Sequence, residues 1–123
     1  MNYNEIKTFE DACNKLGYDS NIPNFEGMPE NYQKPLIAHY KLCIIAEALN
    51  EGWKPDWNDW DQLKYYPWFE MGSPSGSGFS YGDFVCWFAA SYAGSRLCFK
   101  SRELAVYAGK QFEQLYKEYF VLN

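Results

Sequence analysis

The stretch Pro35-Leu-Ile-Ala-His-Tyr-Lys-Leu-Cys-Ile-Ile-Ala-Glu-Ala-Leu-Asn50 decides how the rest of the chain can be arranged. Leu36, Ile37, Tyr40, Leu42, Cys43, Ile44, Ile45, Ala46, Ala48 and Leu49 leave few polar positions around a helical wheel, so other elements must cover most of its circumference. Pro35 suits an opening turn, where its missing N–H is not needed, and Gly52 stops the run. This helix is expected to be the central packing element.

Upstream, Phe9, Ala12, Cys13 and Leu16 recur at helical spacing, which predicts a short amphipathic helix over residues 8–17. Thr8 is placed to cap its first turn, Glu10 and Asp11 suit the positive end of the dipole, and Gly17 can close the helix in the left-handed conformation. Residues 18–31 carry Pro23, Gly27 and Pro29 and read as an irregular connector held down by Ile22, Phe25 and Met28.

Downstream, residues 53–61 form a turn-rich bend with three tryptophans. Residues 63–71 read as a strand that Pro67 confines to an edge or a bulge. A flexible Ser/Gly loop is expected over 72–78. Residues 84–90 and 96–100 read as the two strands of a β-hairpin turning at Tyr92-Ala93-Gly94, with Gly94 in the left-handed position. In that register Val85, Trp87, Ala89, Leu97 and Phe99 share an inward face, while Cys86, Phe88, Ala90, Arg96, Cys98 and Lys100 share the other. Ser101 can cap a last helix that runs to the chain end along Leu104, Ala108, Phe112 or Gln111, Leu115 and Tyr119. The order predicts one α+β domain over residues 1–123, with three main helices packed on a small antiparallel sheet that contains the β-hairpin.

The 123 residues are 47% hydrophobic and 22% charged, a composition that supports one continuous core. Up to Met71 there are 12 acidic and 6 basic residues, and from Gly72 onward 4 acidic and 5 basic, so the net charge of -5 resides in the first half. That half repels nucleic acid and anionic membranes at long range, and no apolar run approaches the roughly 20 residues of a membrane span. Met1-Asn-Tyr-Asn-Glu5 lacks the basic and apolar regions of a secretory leader, so a cytoplasmic protein with reduced cysteines is expected.

Cys13, Cys43, Cys86 and Cys98 are widely spaced and the chain has a single histidine, which leaves no zinc-ligand pairing. Asp56, Asn58, Asp59 and Asp61 cluster as if to hold calcium. The sixth loop position lacks glycine, however, and Pro67 stands where the bidentate glutamate belongs, so the segment reads as a solvated acidic turn. His39 and Cys43 lie four residues apart and could touch, but an interior helix is a poor place for a nucleophile that must meet substrate. His39 therefore reads as a partly buried structural residue. With no catalytic residue, metal site or cofactor motif identified, a non-enzymatic binding protein is expected.

Aromatic residues make up 20% of the chain, more than a core of this size normally needs, so some rings must lie at the surface. The densest group predicts a contact face for another protein, or for a second copy, at Trp57, Trp60, Tyr65, Tyr66 and Trp68. Alternation along an edge strand allows one set of rings inward and the other outward. The alternative is a single-stranded nucleic-acid platform at Tyr92, Arg96, Phe99, Lys100 and Arg102, where bases would stack on rings and cations would meet the backbone.

At Trp68-Phe69, and more strongly across Gly94-Ser-Arg-Leu-Cys-Phe-Lys-Ser-Arg-Glu-Leu-Ala-Val-Tyr-Ala-Gly-Lys-Gln-Phe-Glu-Gln-Leu-Tyr-Lys-Glu-Tyr-Phe120, the chain resembles small uncharacterised proteins encoded by phages and mobile elements of gut bacteria. The resemblance implies a phage or prophage setting and carries no activity or site residues with it.

Overall fold

A computed structural model of the chain describes residues 2–70, 80–87 and 95–121. Helix α1 (Phe9–Leu16) forms where the spacing predicts it. The Thr8 hydroxyl accepts from the Asp11 N–H at 3.1 Å, while the Asp11 carboxylate accepts from the Thr8 N–H at 3.1 Å, a reciprocal cap that satisfies both donors. Gly17 ends the helix at φ 76°. Phe9, Ala12 and Cys13 are buried against α2.

Helix α2 (Glu30–Asn50) is the spine of the molecule, about 31 Å long at 1.5 Å per residue. It begins at Glu30, directly after Pro29, and not at Pro35 as the sequence suggests. Pro35 is accommodated inside the helix because the carbonyl it cannot serve, that of Asn31, belongs to an exposed residue where water substitutes. Between Leu42 and Asn50 every residue except Cys43 and Glu47 is buried. The helix ends on two successive left-handed residues, Glu51 (φ 51°) and Gly52 (φ 86°), which turn the chain sharply toward Trp53.

The expected α+β arrangement of three main helices on a sheet containing a β-hairpin over 84–100 is corrected by the structure, which over the described residues is mainly helical with four α-helices. Among the described residues the strands are one antiparallel pair, β1 (Lys64–Glu70) and β2 (Ser80–Trp87), with Tyr66 opposite Val85 and an irregularity between Trp68 and Phe69. Residues 96–100 are not a strand. Ser95–Leu97 winds into a 3-10 turn, and only Phe99 pairs with β1, giving to the Tyr65 carbonyl at 2.8 Å and accepting from the Tyr65 N–H at 3.1 Å. The next residue of β1 on that edge is Pro67, which has no N–H to offer, so the ladder stops after one pair. The loop expected at 72–78 and the turn at 92–94 lie outside the described residues.

What holds the 98–100 segment from its other side is the Asn50 side chain. Its Nδ2 donates to the Cys98 carbonyl at 2.9 Å and its Oδ1 accepts from the Lys100 N–H at 3.0 Å, so one buried amide does the work of a neighbouring strand. Leu97, Cys98 and Phe99 are thereby drawn into the core with Leu42, Ile45 and Leu49.

The last helix is two helices. Ser101 caps α3 (Arg102–Gln111) by accepting from the Leu104 N–H, and the chain bends at Phe112 (φ -112°, ψ 27°) before α4 (Glu113–Phe120). The bend puts Phe112 and Tyr116 into the core, in place of the expected Leu115. Tyr116 and Phe120 surround Phe69 with ring centroids 4.8 and 6.0 Å away, so much of the aromatic surplus is spent where α4 meets β1. Across α3, Tyr107 donates to the Ile6 carbonyl at 2.6 Å and ties the amino-terminal segment down.

Asn50→Ala should lower stability by roughly 2 kcal/mol, since it leaves a buried carbonyl and an amide without partners. Asn50→Asp should fail to restore it, because a carboxylate accepts from Lys100 but cannot donate to Cys98. Urea unfolding of the three proteins measures this, and an Asp variant equal to wild type would contradict the two-sided role.

Candidate binding cleft

Residues 53–62 fold around a single side chain, that of Lys64. Its ammonium is buried, with 0% of the residue exposed, and donates to the carbonyls of Asp56 (2.7 Å), Asp59 (3.1 Å) and Gln62 (3.1 Å). The Trp57 ring lies over it at 5.1 Å, a cation–π contact. With the carbonyls turned inward, the carboxylates turn to their own backbone: Asp56 accepts from the Asn58 N–H and Asp59 from the Asp61 N–H. The cation that the carbonyls of this acidic loop hold is the chain's own ammonium. Among the described residues no group of histidine, cysteine and acidic side chains is placed to hold a metal ion.

The loop so fixed forms one wall of a cleft of about 650 Å³ against α2. Trp53 and Trp57, each half-buried, line that wall with Lys54. The floor is apolar and includes Cys43, Ile44 and Cys98. Arg96 reaches the cleft from the 3-10 turn, and Glu47 and Tyr18 meet there, the Tyr18 hydroxyl donating to the Glu47 carboxylate at 2.7 Å. The left-handed turn after α2 sets Trp53, and the Asn50 clamp sets Cys98 and thereby the segment carrying Arg96, so both sides depend on the same helix end.

His39 and Cys43 do touch, with Nε2 and Sγ 3.6 Å apart. Burial pushes the Cys43 thiol up, with Arg96 opposing it, and burial holds His39 below its ordinary value of 6.5, with Arg96 adding to the effect. The pair therefore rests as a thiol and a neutral imidazole. His39 Nδ1 is buried without a hydrogen-bond partner, and the ring stacks on Tyr119 at 5.0 Å, so among the described residues no group stands ready to stabilise the imidazolium that a thiolate would need. Cys98 is more inert still, pushed up to about 11 by burial.

The residues expected on one aromatic face are divided by the structure. Trp60 stands in solvent at 69% exposure, Trp57 covers Lys64 beside the cleft, and Tyr65 is packed against the core. Tyr66 is corrected to a core residue, 1% exposed, because the first residues of β1 are sandwiched between α3 and the 98–100 segment. Trp68 belongs to β1, and its side chain lies outside the description. The nucleic-acid platform is divided too. Phe99 is fully buried and has no free face for a base, a consequence of its pairing with Tyr65. Lys100 pairs with Glu51 at 3.9 Å, Arg102 lies at a separate hollow beside Tyr3 and Tyr107, and Tyr92 is outside the described residues. Only Arg96 and Trp57, from opposite hypotheses, come together in one place. Tyr18, Glu47 and Lys54 were not legible as site residues, since nothing local in the sequence links them. Comparison with family models, curated proteins and solved structures found no match.

Lys64→Met should cost about 2 kcal/mol by removing the charge that three carbonyls face, and should speed amide exchange across residues 56–62. Hydrogen exchange confined to other parts of the chain would contradict that role. The pH dependence has a defined sign as well. Because His39 is held below 6.5 in the folded chain, the unfolded chain binds the extra proton; this contribution is complete above 6.5 and is lost as pH falls through 6.5 toward the folded value. Between about pH 7.5 and about pH 5 the wild type should lose more stability than His39→Gln, as read from urea midpoints. Equal losses would show that the imidazole is not held neutral.

Proposed function

We propose that this chain is a non-enzymatic binding protein that holds a segment of another protein in the cleft between α2 and the Trp53–Trp57 wall. The observation that carries the reading is the preformed character of that wall: two half-exposed indoles, Trp57 lying on an internal ammonium and Trp53 fixed by its backbone N–H bond to the Asn50 carbonyl at the end of α2. Ordering a flexible loop on binding would cost affinity, and this loop is already ordered. Tryptophan is the side chain that most often dominates contact energy, and Trp60, fully outside the core on the same loop, extends the surface beyond the cleft.

Among the described residues no helix is long and apolar enough to cross a membrane. A cytoplasmic setting is in keeping with Cys13, Cys43 and Cys98 being free thiols. The phage or mobile-element setting rests on the resemblance of residues 94–120 alone. Of the two stacking rings of the nucleic-acid alternative, Phe99 is buried and Tyr92 lies outside the described residues, and one of its cations, Lys100, pairs with Glu51.

Panning a random dodecapeptide library on the immobilised protein tests the proposal. A convergent family of peptides is expected, bound at micromolar affinity, weakened about tenfold or more by Trp53→Ala and shielding Cys43 from iodoacetamide. Failure to converge, or binding indifferent to Trp53→Ala, removes the reading. Sedimentation of the protein alone identifies the case in which the partner is a second copy: a dimer that Trp53→Ala abolishes.

A further inference from the structure

We infer that the cleft selects a peptide segment bearing a carboxylate, with Arg96 as the seat of the anion and the Trp53 and Trp57 indoles flanking the apolar side chain beside it; this rests on the binding role proposed above.

Arg96 is exposed and makes no ion pair with a described residue. It nevertheless lies over the cleft floor, close enough to act electrostatically on both His39 and Cys43. Lys54 adds a second exposed cation, also without an ion pair among the described residues. Among the described residues the one carboxylate in the cleft lining is Glu47, and Tyr18 already donates to it, so it does not serve Arg96. A guanidinium beside an apolar floor of Cys43, Ile44 and Cys98 offers paired donors in a shape that matches a carboxylate.

The remaining polar groups point the same way. The Trp53 and Trp57 indole N–H groups donate to no described residue, so with Arg96 and Lys54 the cleft presents donors and few acceptors. A ligand that fits must bring acceptors, which an extended peptide does through its carbonyls as well as its acid. A nucleic-acid strand fits less well. The chain carries a net charge of -5 and the cleft holds two cations among the described residues, too few to offset repulsion of a polyanion.

The test uses the intact protein and its Arg96→Gln variant, which should melt with the wild type because Arg96 is exposed and unpaired among the described residues. Dodecapeptides selected on wild type should carry Asp or Glu at a fixed position beside an aromatic or aliphatic residue. A synthetic peptide of that sequence should bind about tenfold more weakly when its acid is replaced by the amide, and the penalty should vanish on Arg96→Gln. Selected peptides without an acid, or an acid-to-amide penalty that survives in Arg96→Gln, overturn the carboxylate seat and leave the binding role standing. Selection of no peptide overturns both. Tighter binding of oligothymidylate than of the selected peptide, falling steeply with added salt, overturns the proposal in favour of a nucleic-acid ligand.

Discussion

The fold depends on how the carboxyl end of α2 is finished. Helix ends leave carbonyls and turns to be satisfied, and here the last helical residue, Asn50, directs its amide outward to the backbone of a segment 48 residues away. That segment is then gripped on both sides, by Asn50 at Cys98 and Lys100 and by Tyr65 at Phe99. A buried stretch of chain cannot leave its N–H and carbonyl groups unpaired, and a side-chain amide is a small group able to supply both a donor and an acceptor at once. The clamp joins α2 to β1 without a third strand, and it sets Arg96 beside the residues that follow Gly52.

How far the sequence could be read follows from the reach of each interaction. Helix α1 was legible to its ends, because Thr8, Asp11 and Gly17 act within a few residues of one another. The body of α2 was legible for the same reason, although Pro35 was misleading: it marks a permitted opening, and the helix had another available at Pro29. The hairpin was not legible. Residues 84–90 and 96–100 have strand-like composition, yet strand pairing is a choice among distant partners, and β2 pairs with β1. The decisive local fact, that Pro67 would end any ladder on the Phe99 edge, was visible in the sequence but could be used only once Tyr65 and Phe99 were known to pair. The bend at Phe112 is similar, since an unbroken stripe through Leu115 satisfies helical periodicity and only the competition of Tyr116 for the core turns the chain aside.

The candidate site shows the same division. The aromatic surplus was a sound signal that some rings would be left at the surface, and Trp60, Trp57 and Trp53 are exposed or half-exposed. Which rings those would be was beyond composition, because β1 sends Tyr66 inward and α4 recruits Phe69. The acidic loop was read through its carboxylates, whereas its structure is built on its carbonyls, which every residue type possesses and which no spacing rule reports. Lys64 reads in the sequence as one more strand residue. Only folding shows that three carbonyls converge on it.

Two cations therefore divide the work beside the cleft. Lys64 is saturated by carbonyl dipoles, which orient around the ammonium but carry no net charge, so the exposed Asp56, Asp59 and Asp61 leave the loop acidic at its surface. Arg96 is left to face the cleft among neighbours that are largely apolar. The Asp56, Asp59 and Asp61 carboxylates lie on the loop that carries Trp57, so they repel an anion near that loop in proportion to its total charge, while among the described cleft residues the attraction is limited to Arg96 and Lys54. A polyanion gains little from such a balance. In the binding role proposed above, a single carboxylate attached to apolar chain would meet the least of this repulsion, and the indoles would supply the contact area. On the proposed binding role, the acidic surface would disfavour polyanions and leave a ligand of one acid and substantial apolar surface as the better match.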